Sequence, residues 1–222
     1  MALRPATLVL GTQNLDKLRE FLALLAAWPV QVQSLADFPP IVEPVEHGAT
    51  LEANAALKAS YYATTLRQWV LADDTGLEVA ALGGAPGVLT ARYAGNDATP
   101  AQNRAKLLAE LAAVPVGRRT ARFVCHLALA DPTGAIRATS CGHCHGQIAR
   151  ELPTDVASLA AGRRFGYDGL FELAEYHCTL AELGPAATAV VGHRGRAVQA
   201  MRPAIEPPLK EIVAAAGEPL RG

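Results

Sequence analysis

The chain carries almost no net charge: 20 lysines and arginines stand against 21 aspartates and glutamates, a formal charge of -1 at pH 7. No global basic field therefore draws it to nucleic acid or to an anionic membrane, although a local basic pocket is compatible with any net charge. Also missing is a run of about 18 apolar residues, which excludes a spanning helix. Cysteine is scarce, four in 222 residues. That is too few for a disulfide framework and agrees with a reducing compartment. The stretch MALRPATLVLGTQNLDK lacks the apolar segment and small-residue cleavage site of a secretory signal, so a cytoplasmic location is expected. There is no internal repeat, low-complexity tract or linker, and hence no readable domain boundary.

Half of the residues are hydrophobic, and the length allows a sizeable core in one domain or in two lobes sharing a sheet. Ala6–Thr12 reads as a short buried strand ended by Gly11. Leu18, Phe21, Leu22 and Leu25 then share one face of a helix. Val30–Ser34 alternates as a second strand. Thr50 caps a helix whose apolar residues include Leu57, Tyr61 and Tyr62, with Glu52 in its first turn. Trp69–Asp73 reads as another buried strand. Thr99 and Gln102 form a capping box with Pro100 at the first helical position. Thr120–Ala130 reads as a strand, Asp131–Gly134 as a turn, and the segment to Ile148 as its hairpin partner. A helix starting at His193 should stop or kink at Pro203. Helices alternating with strands, followed by a long hairpin, predict a mixed-sheet α/β protein.

Five segments could carry chemistry. Gly11–Lys17 joins a strand to a helix, where free amides favour an anion and Lys17 adds charge. It is not the G-x-x-x-x-G-K-[ST] phosphate loop. Glu46 and Glu52, around the Thr50 cap, offer carboxylates to a hard cation such as Mg2+. Asp73 and Asp74 are expected at the carboxyl end of a buried strand, where open α/β sheets gather ligands, pointing to opposite sides. The glycines that follow in LGGAPG permit tight turns and close approach of a substrate. FGYD (Phe165–Asp168) supplies aromatic faces for a base and a carboxylate for ring N–H groups. His193 and Arg194 add donors at a helix start. Taken singly, each is also read as an ordinary cap, turn or core strand.

Cys141–His145, CGHCH, matches the C-x-x-C-H haem-attachment pattern and could supply zinc ligands. Without an export signal or a second ligand pair, small soft side chains on a strand are the simpler reading.

TQNLDK, EHGATLEANAALKA, LADDTGLEVAALGGAPGVLTARYAG, ARFVC, FGYD and HRGRA occur in one order from about Thr7 to Met201. In this the chain resembles the inosine triphosphate pyrophosphatase family. The resemblance implies a single domain over residues 1–222, a two-lobed α/β fold around an elongated mixed β-sheet with flanking helices, commonly a homodimer. It implies Mg2+-dependent hydrolysis of ITP, dITP or XTP to the monophosphate and pyrophosphate, which cleanses the nucleotide pool. Asp74 matches the family's proton acceptor and metal-binding aspartate, with Glu46 as a second metal carboxylate. Thr12, Gln13, Asn14 and Lys17 match the triphosphate segment, and Thr75 a substrate-contacting hydroxyl. Phe165, Gly166, Tyr167 and Asp168 match the base-binding segment, with His193 and Arg194 at its far side. Thr188 and Gly192 stand where the family has a lysine and a serine, Arg164 where it has a glycine, and Gly169 where it has a proline. The base preference thus has an alternative: the same hydrolysis on another base. A nucleotide-binding protein without catalysis is the further alternative.

Overall fold

Four residues, Thr7–Leu10, form strand β1, and Gly11 follows where a Cβ would come within 2.9 Å of the Val70 side chain. The structure, a computed structural model, describes residues 6–152 and 166–217, with the side chains of the last helix described to Ala214. Asn14 opens helix α1 (Leu15–Leu24), its side chain accepting from the amides of Asp16 and Lys17. The chain returns as β2 (Gln31–Ser34), parallel to β1. The Thr50 hydroxyl accepts from the amide of Ala53 to start α2 (Leu51–Leu66), as expected. Strand β3 (Val70–Val79) then lies parallel to β1 on its other edge, Leu10 opposite Leu71.

Strand β3 is longer than expected: it does not end at Asp73 but carries Asp73 and Asp74 in its middle. The chain then turns at Gly83 and Gly84, with φ of 63° and 93°, angles that favour glycine. It comes back as β4 (Pro86–Gly87), antiparallel to β3. The capping box forms at α3 (Pro100–Glu110): Gln102 N donates to Thr99 Oγ1 and Thr99 N to Gln102 Oε1. β5 (Thr120–Ala130) and β6 (Ile136–Ile148) have the expected bounds. β7 (Phe171–Leu173) and β8 (Cys178–Thr179) extend the sheet antiparallel. Two helices close the chain, α4 (Pro185–Val191) and α5 (His193–Gly217). The sheet runs β2-β1-β3-β5-β6-β7-β8 with β4 on β3, a mixed sheet in an α/β chain.

Of the stop or kink expected at Pro203, the stop does not occur: helix α5 continues past Pro207 and Pro208. Each proline removes a backbone bond, yet Met201, Ile205, Pro208 and Ile212 recur at three- and four-residue spacing as a buried stripe. Tertiary burial thereby outweighs local propensity. On α2, Leu57 and Tyr61 are only half-buried. The inward face is instead Leu51, Asn54, Ala55, Lys58, Ala59, Tyr62 and Ala63, so two polar residues sit in the core stripe.

The chain divides into two compact units. The first comprises residues 1–74, 126–141 and 197–222, and its core packs Val9, Ala55, Ala59, Tyr62, Val70 and Ala128. The second comprises residues 75–125 and 142–196, with Leu77, Leu107, Leu111, Phe123, Ile148 and Phe171 at its centre. Among the described residues no helix is long and apolar enough to cross a membrane.

Candidate active site

Strand β1 ends at Leu10 while its parallel neighbour β3 runs on, and Gly11 N still donates to Leu71 O at 2.9 Å. Asp73 and Asp74 therefore lie beyond the carboxyl end of β1, level with the Thr12–Asn14 turn. That is the edge where α/β sheets bind ligands. Adjacent strand residues point to opposite faces, and the two aspartates meet different helices. Asp73 Oδ2 accepts from Lys17 Nζ of α1 at 2.8 Å, with the Asp73 side chain 1% exposed and that of Lys17 19%. Asp74 Oδ1 accepts from Lys58 Nζ of α2, also at 2.8 Å.

Lys58 is the centre of the cluster. Its ammonium also meets Glu46 Oε1 at 2.8 Å, so one buried nitrogen joins the carboxylates of Asp74 and Glu46. Asn54, one turn before Lys58 on the same face, donates from Nδ2 to Asp74 Oδ2 at 3.3 Å. Its Oδ1 in turn accepts from Gly48 N at 2.8 Å, which ties the loop carrying Glu46 to the same aspartate. A Cβ on Gly48 would overlap Asn54 Oδ1, so this approach requires glycine. Burial pushes the Asp74 carboxyl above its ordinary range, against the opposing pull of Lys58. Burial alone would lower Lys58, but the charges of Asp73 and Asp74 and its two hydrogen bonds outweigh that and raise it.

Lys58 and Asn54 were not among the residues expected from the sequence. The signal was there: two polar residues four apart, in line with Leu51, Ala55 and Ala59. Glu52, the other carboxylate weighed beside the Thr50 cap, is exposed. Thr12 Oγ1 accepts from Asn14 N at 3.2 Å, and Gln13 Nε2 donates to Ile41 O at 3.3 Å. Two amides at the start of α1 are taken up by Asn14, which leaves the Lys17 ammonium as the more available donor at this turn than those amides.

The remaining expected residues belong to the second unit, where Thr75 follows Asp74 on β3. Phe165 lies outside the described residues. Tyr167 is 3% exposed, and its hydroxyl donates to Thr90 O at 3.0 Å. Burial pushes its phenol up. This ring packs in the core and does not present an open stacking face. Gly166 and Asp168 flank it, both partly exposed. His193 is 2% exposed and stacks on Phe123, with centroids 4.8 Å apart and planes at 19°. Arg194 is half-buried beside it. Thr188 Oγ1 donates to Gly184 O at 2.8 Å, and a Cβ on Gly192 would collide with Thr188 O.

The CGHCH run lies within β6, where residues three apart face opposite sides. Cys144 is 2% exposed, and burial pushes its thiol up to about 11. Cys141 instead lies 3.4 Å from His126 Nε2. The two cysteines do not form a chelating pair, and all four cysteines are free thiols.

For a metal, the fit rests on donor chemistry. Asp74 and Glu46 are hard oxygen donors gathered on one cationic point, and Mg2+ takes one or two such carboxylates, leaving the rest of its shell to water and phosphate. Counting the Lys17–Asp73 pair as well, two ammonium groups stand against three carboxylates, a net negative charge that favours a cation. Among the described residues no group of three or more His, Cys, Asp or Glu could hold a metal by itself.

These features define an α/β protein with a cluster of paired charges past the carboxyl end of β1, the edge at which open α/β sheets gather ligands. The chain belongs to the Ham1 family, whose profile matches residues 8–204. It is 44% identical over 196 residues to a dITP/XTP pyrophosphatase of Rhodopirellula baltica, spanning 88% of this chain and 91% of that one. A dITP/XTP pyrophosphatase of Geobacillus kaustophilus is 46% identical over 194 residues, 86% and 90% of the two chains. Among solved structures, the Staphylococcus aureus Ham1 protein matches with a TM-score of 0.76 at 30% identity, covering 91% of this chain and 99% of that one.

Proposed function

We propose that this chain hydrolyses the deaminated purine nucleoside triphosphates ITP, dITP and XTP to the monophosphate and pyrophosphate. The observation that carries the reading is the Lys58-centred pair of Asp74 and Glu46 beside the Lys17–Asp73 pair, in a chain whose relatives are dITP/XTP pyrophosphatases. Lys17 and Lys58 offset the charge of the triphosphate, with Thr12, Gln13 and Asn14 lining the turn beside it. Asp74, whose carboxyl is raised by burial, accepts the proton of the water that attacks the α-phosphorus, and pyrophosphate leaves. Asn54 and Lys58 hold Asp74 in register for that transfer. Asp74 and Glu46 are the residues that would hold Mg2+, which when bound supplies charge neutralisation for the phosphates. Base recognition is assigned to Thr75, the segment Phe165–Asp168, His193 and Arg194, with Tyr167 serving that segment through its anchor on Thr90 rather than as a stacking face. We further propose a cytoplasmic homodimer acting on the free nucleotide pool.

A second reading keeps the chemistry and changes the base. What favours it is Thr188, whose hydroxyl is committed to Gly184 O at the position where the family pattern has a lysine.

Both readings meet one experiment, pyrophosphate release with Mg2+ from ITP, dITP, XTP and the ordinary nucleotides, for the wild type and Asp74→Asn. Preference for ITP, dITP and XTP, abolished in Asp74→Asn, is the expected result. Turnover favouring another base selects the second reading. No release from folded protein on any nucleotide refutes both.

A further inference from the structure

Helix α3 holds none of the residues expected at the site, yet its first turns hold the loops around the FGYD segment. Asn103 Oδ1 accepts from Ala94 N at 2.7 Å, and its Nδ2 donates to Ala91 O at 2.9 Å. Lys106 Nζ donates to Tyr93 O at 2.8 Å and lies 4.3 Å from the centre of the Tyr93 ring. Arg104, half-buried between them in sequence, sends Nη1 62 residues along the chain to Gly166 O at 2.9 Å. From Tyr167 onward the segment is tied by its own backbone, Leu170 N to Tyr167 O at 2.8 Å and Ala181 N to Asp168 O at 3.2 Å. The Tyr167 hydroxyl is fixed on Thr90 O, in the loop that α3 also holds. Among the described residues, a Cβ on Gly166 meets nothing within 4 Å, so no packing pins this glycine from that side.

We propose that Arg104 is a positioning residue for base recognition. It fixes the Gly166–Tyr167 peptide and so sets where Asp168 presents its carboxylate. The inference rests on the functional reading above, which assigns base recognition to this segment. A guanidinium suits the task because it stays charged and its planar fork holds a carbonyl in one direction. The capping box at Thr99 and Gln102 anchors the helix that aims it. Arg104 acts on substrate through the backbone, and its loss should weaken binding of the base and leave phosphate chemistry intact.

The test compares wild type, Arg104→Met and Arg104→Lys in steady-state pyrophosphate release from ITP and ATP, with backbone hydrogen exchange of residues 166–168. Both variants are first checked by thermal melting. Arg104→Met should raise KM for ITP by about tenfold, the worth of one charge-assisted hydrogen bond, with kcat within about twofold. Exchange at 166–168 should quicken, and Arg104→Lys, which keeps a charged donor, should recover part of both effects. Unchanged KM and exchange in Arg104→Met, with wild-type base preference intact, overturn this proposal alone. So does a fall in kcat at constant KM. A wild type that shows no preference among bases overturns the functional reading, and this proposal with it.

Discussion

Replacing Lys58 by methionine keeps the stem that packs in α2 and removes the ammonium that Asp74 and Glu46 share. Removing one partner of a buried pair costs about 3–5 kcal/mol, because the other charge is left without compensation. Glu46 keeps 23% side-chain exposure and regains water, whereas Asp74 keeps 9% and does not. The lower end, about 3 kcal/mol, is therefore the appropriate figure. For a chain of this size about 1 kcal/mol shifts Tm by about 2–4 °C, so Lys58→Met should melt about 6–12 °C lower near neutral pH. The pH dependence has a definite sign. The folded pKa of Asp74 is already raised by burial, and loss of Lys58 moves it further up. Unfolded, it titrates near about 3.9. Between those values the folded state keeps a proton that the unfolded state has lost, so stability falls as pH rises through the window. Lys58 itself has a raised pKa and stays charged throughout, so it adds no slope there. The deficit of Lys58→Met should thus be smallest at the acid end of that window, where Asp74 is protonated, and grow toward neutrality. Differential scanning calorimetry of both proteins across that range measures it. A deficit under about 2 °C at neutral pH, or one that does not change with pH, refutes the argument.

Gly48→Ala places a methyl on Asn54 Oδ1 and should dislodge Asn54 from Asp74, lowering kcat at least about tenfold through misplacement of the base; steady-state kinetics on folded protein checks it. Lys17→Met leaves Asp73, whose side chain is 1% exposed, buried without its ammonium, and should both raise KM for the triphosphate and lower Tm by about as much as Lys58→Met, about 6–12 °C, as read by the same kinetics and calorimetry. Iodoacetamide at neutral pH should label Cys141 ahead of Cys125, Cys144 and Cys178, because the first two are buried and burial raises the thiols of Cys144 and Cys178. Peptide mass mapping gives the order, and early labelling of Cys144 would contradict the burial reported for β6.

How much could be read in advance depended on how far the information lay along the chain. The capping box at Thr99 and Gln102, the Thr50 cap and the bounds of β5 and β6 are local, and the sequence carried them plainly. The end of β3 was not legible, because two adjacent aspartates read as a turn unless their partners are known. Those partners, Lys17 and Lys58, lie 56 and 16 residues away. Lys58 itself read as one more lysine on an alanine-rich helix. Only its alignment with Leu51, Ala55 and Ala59 betrayed an inward position. Tyr167 misled in the other direction, since an aromatic ring in a binding motif suggests a stacking face while the fold uses it as an anchor on Thr90. The passage of α5 through three prolines was hidden for the same reason: the stripe that compensates exists only against the rest of the first unit. The family resemblance, in contrast, rested on order and composition of motifs, and the Ham1 profile over residues 8–204 bears it out.

The first unit is assembled from three separate stretches of chain, and the last of them begins at Ala197. A ribosome has therefore made every residue of the Lys58 cluster long before the framework around it can be finished. Until α5 arrives, the nascent chain carries opposed buried-type charges in a half-built shell, with the faces that Met201, Ile205 and Ile212 will cover still open to other chains. Such a fold is exposed to aggregation during synthesis more than a protein whose units are contiguous. Neither unit can be cut out as a gene fragment, and swapping one between relatives means exchanging several segments at once.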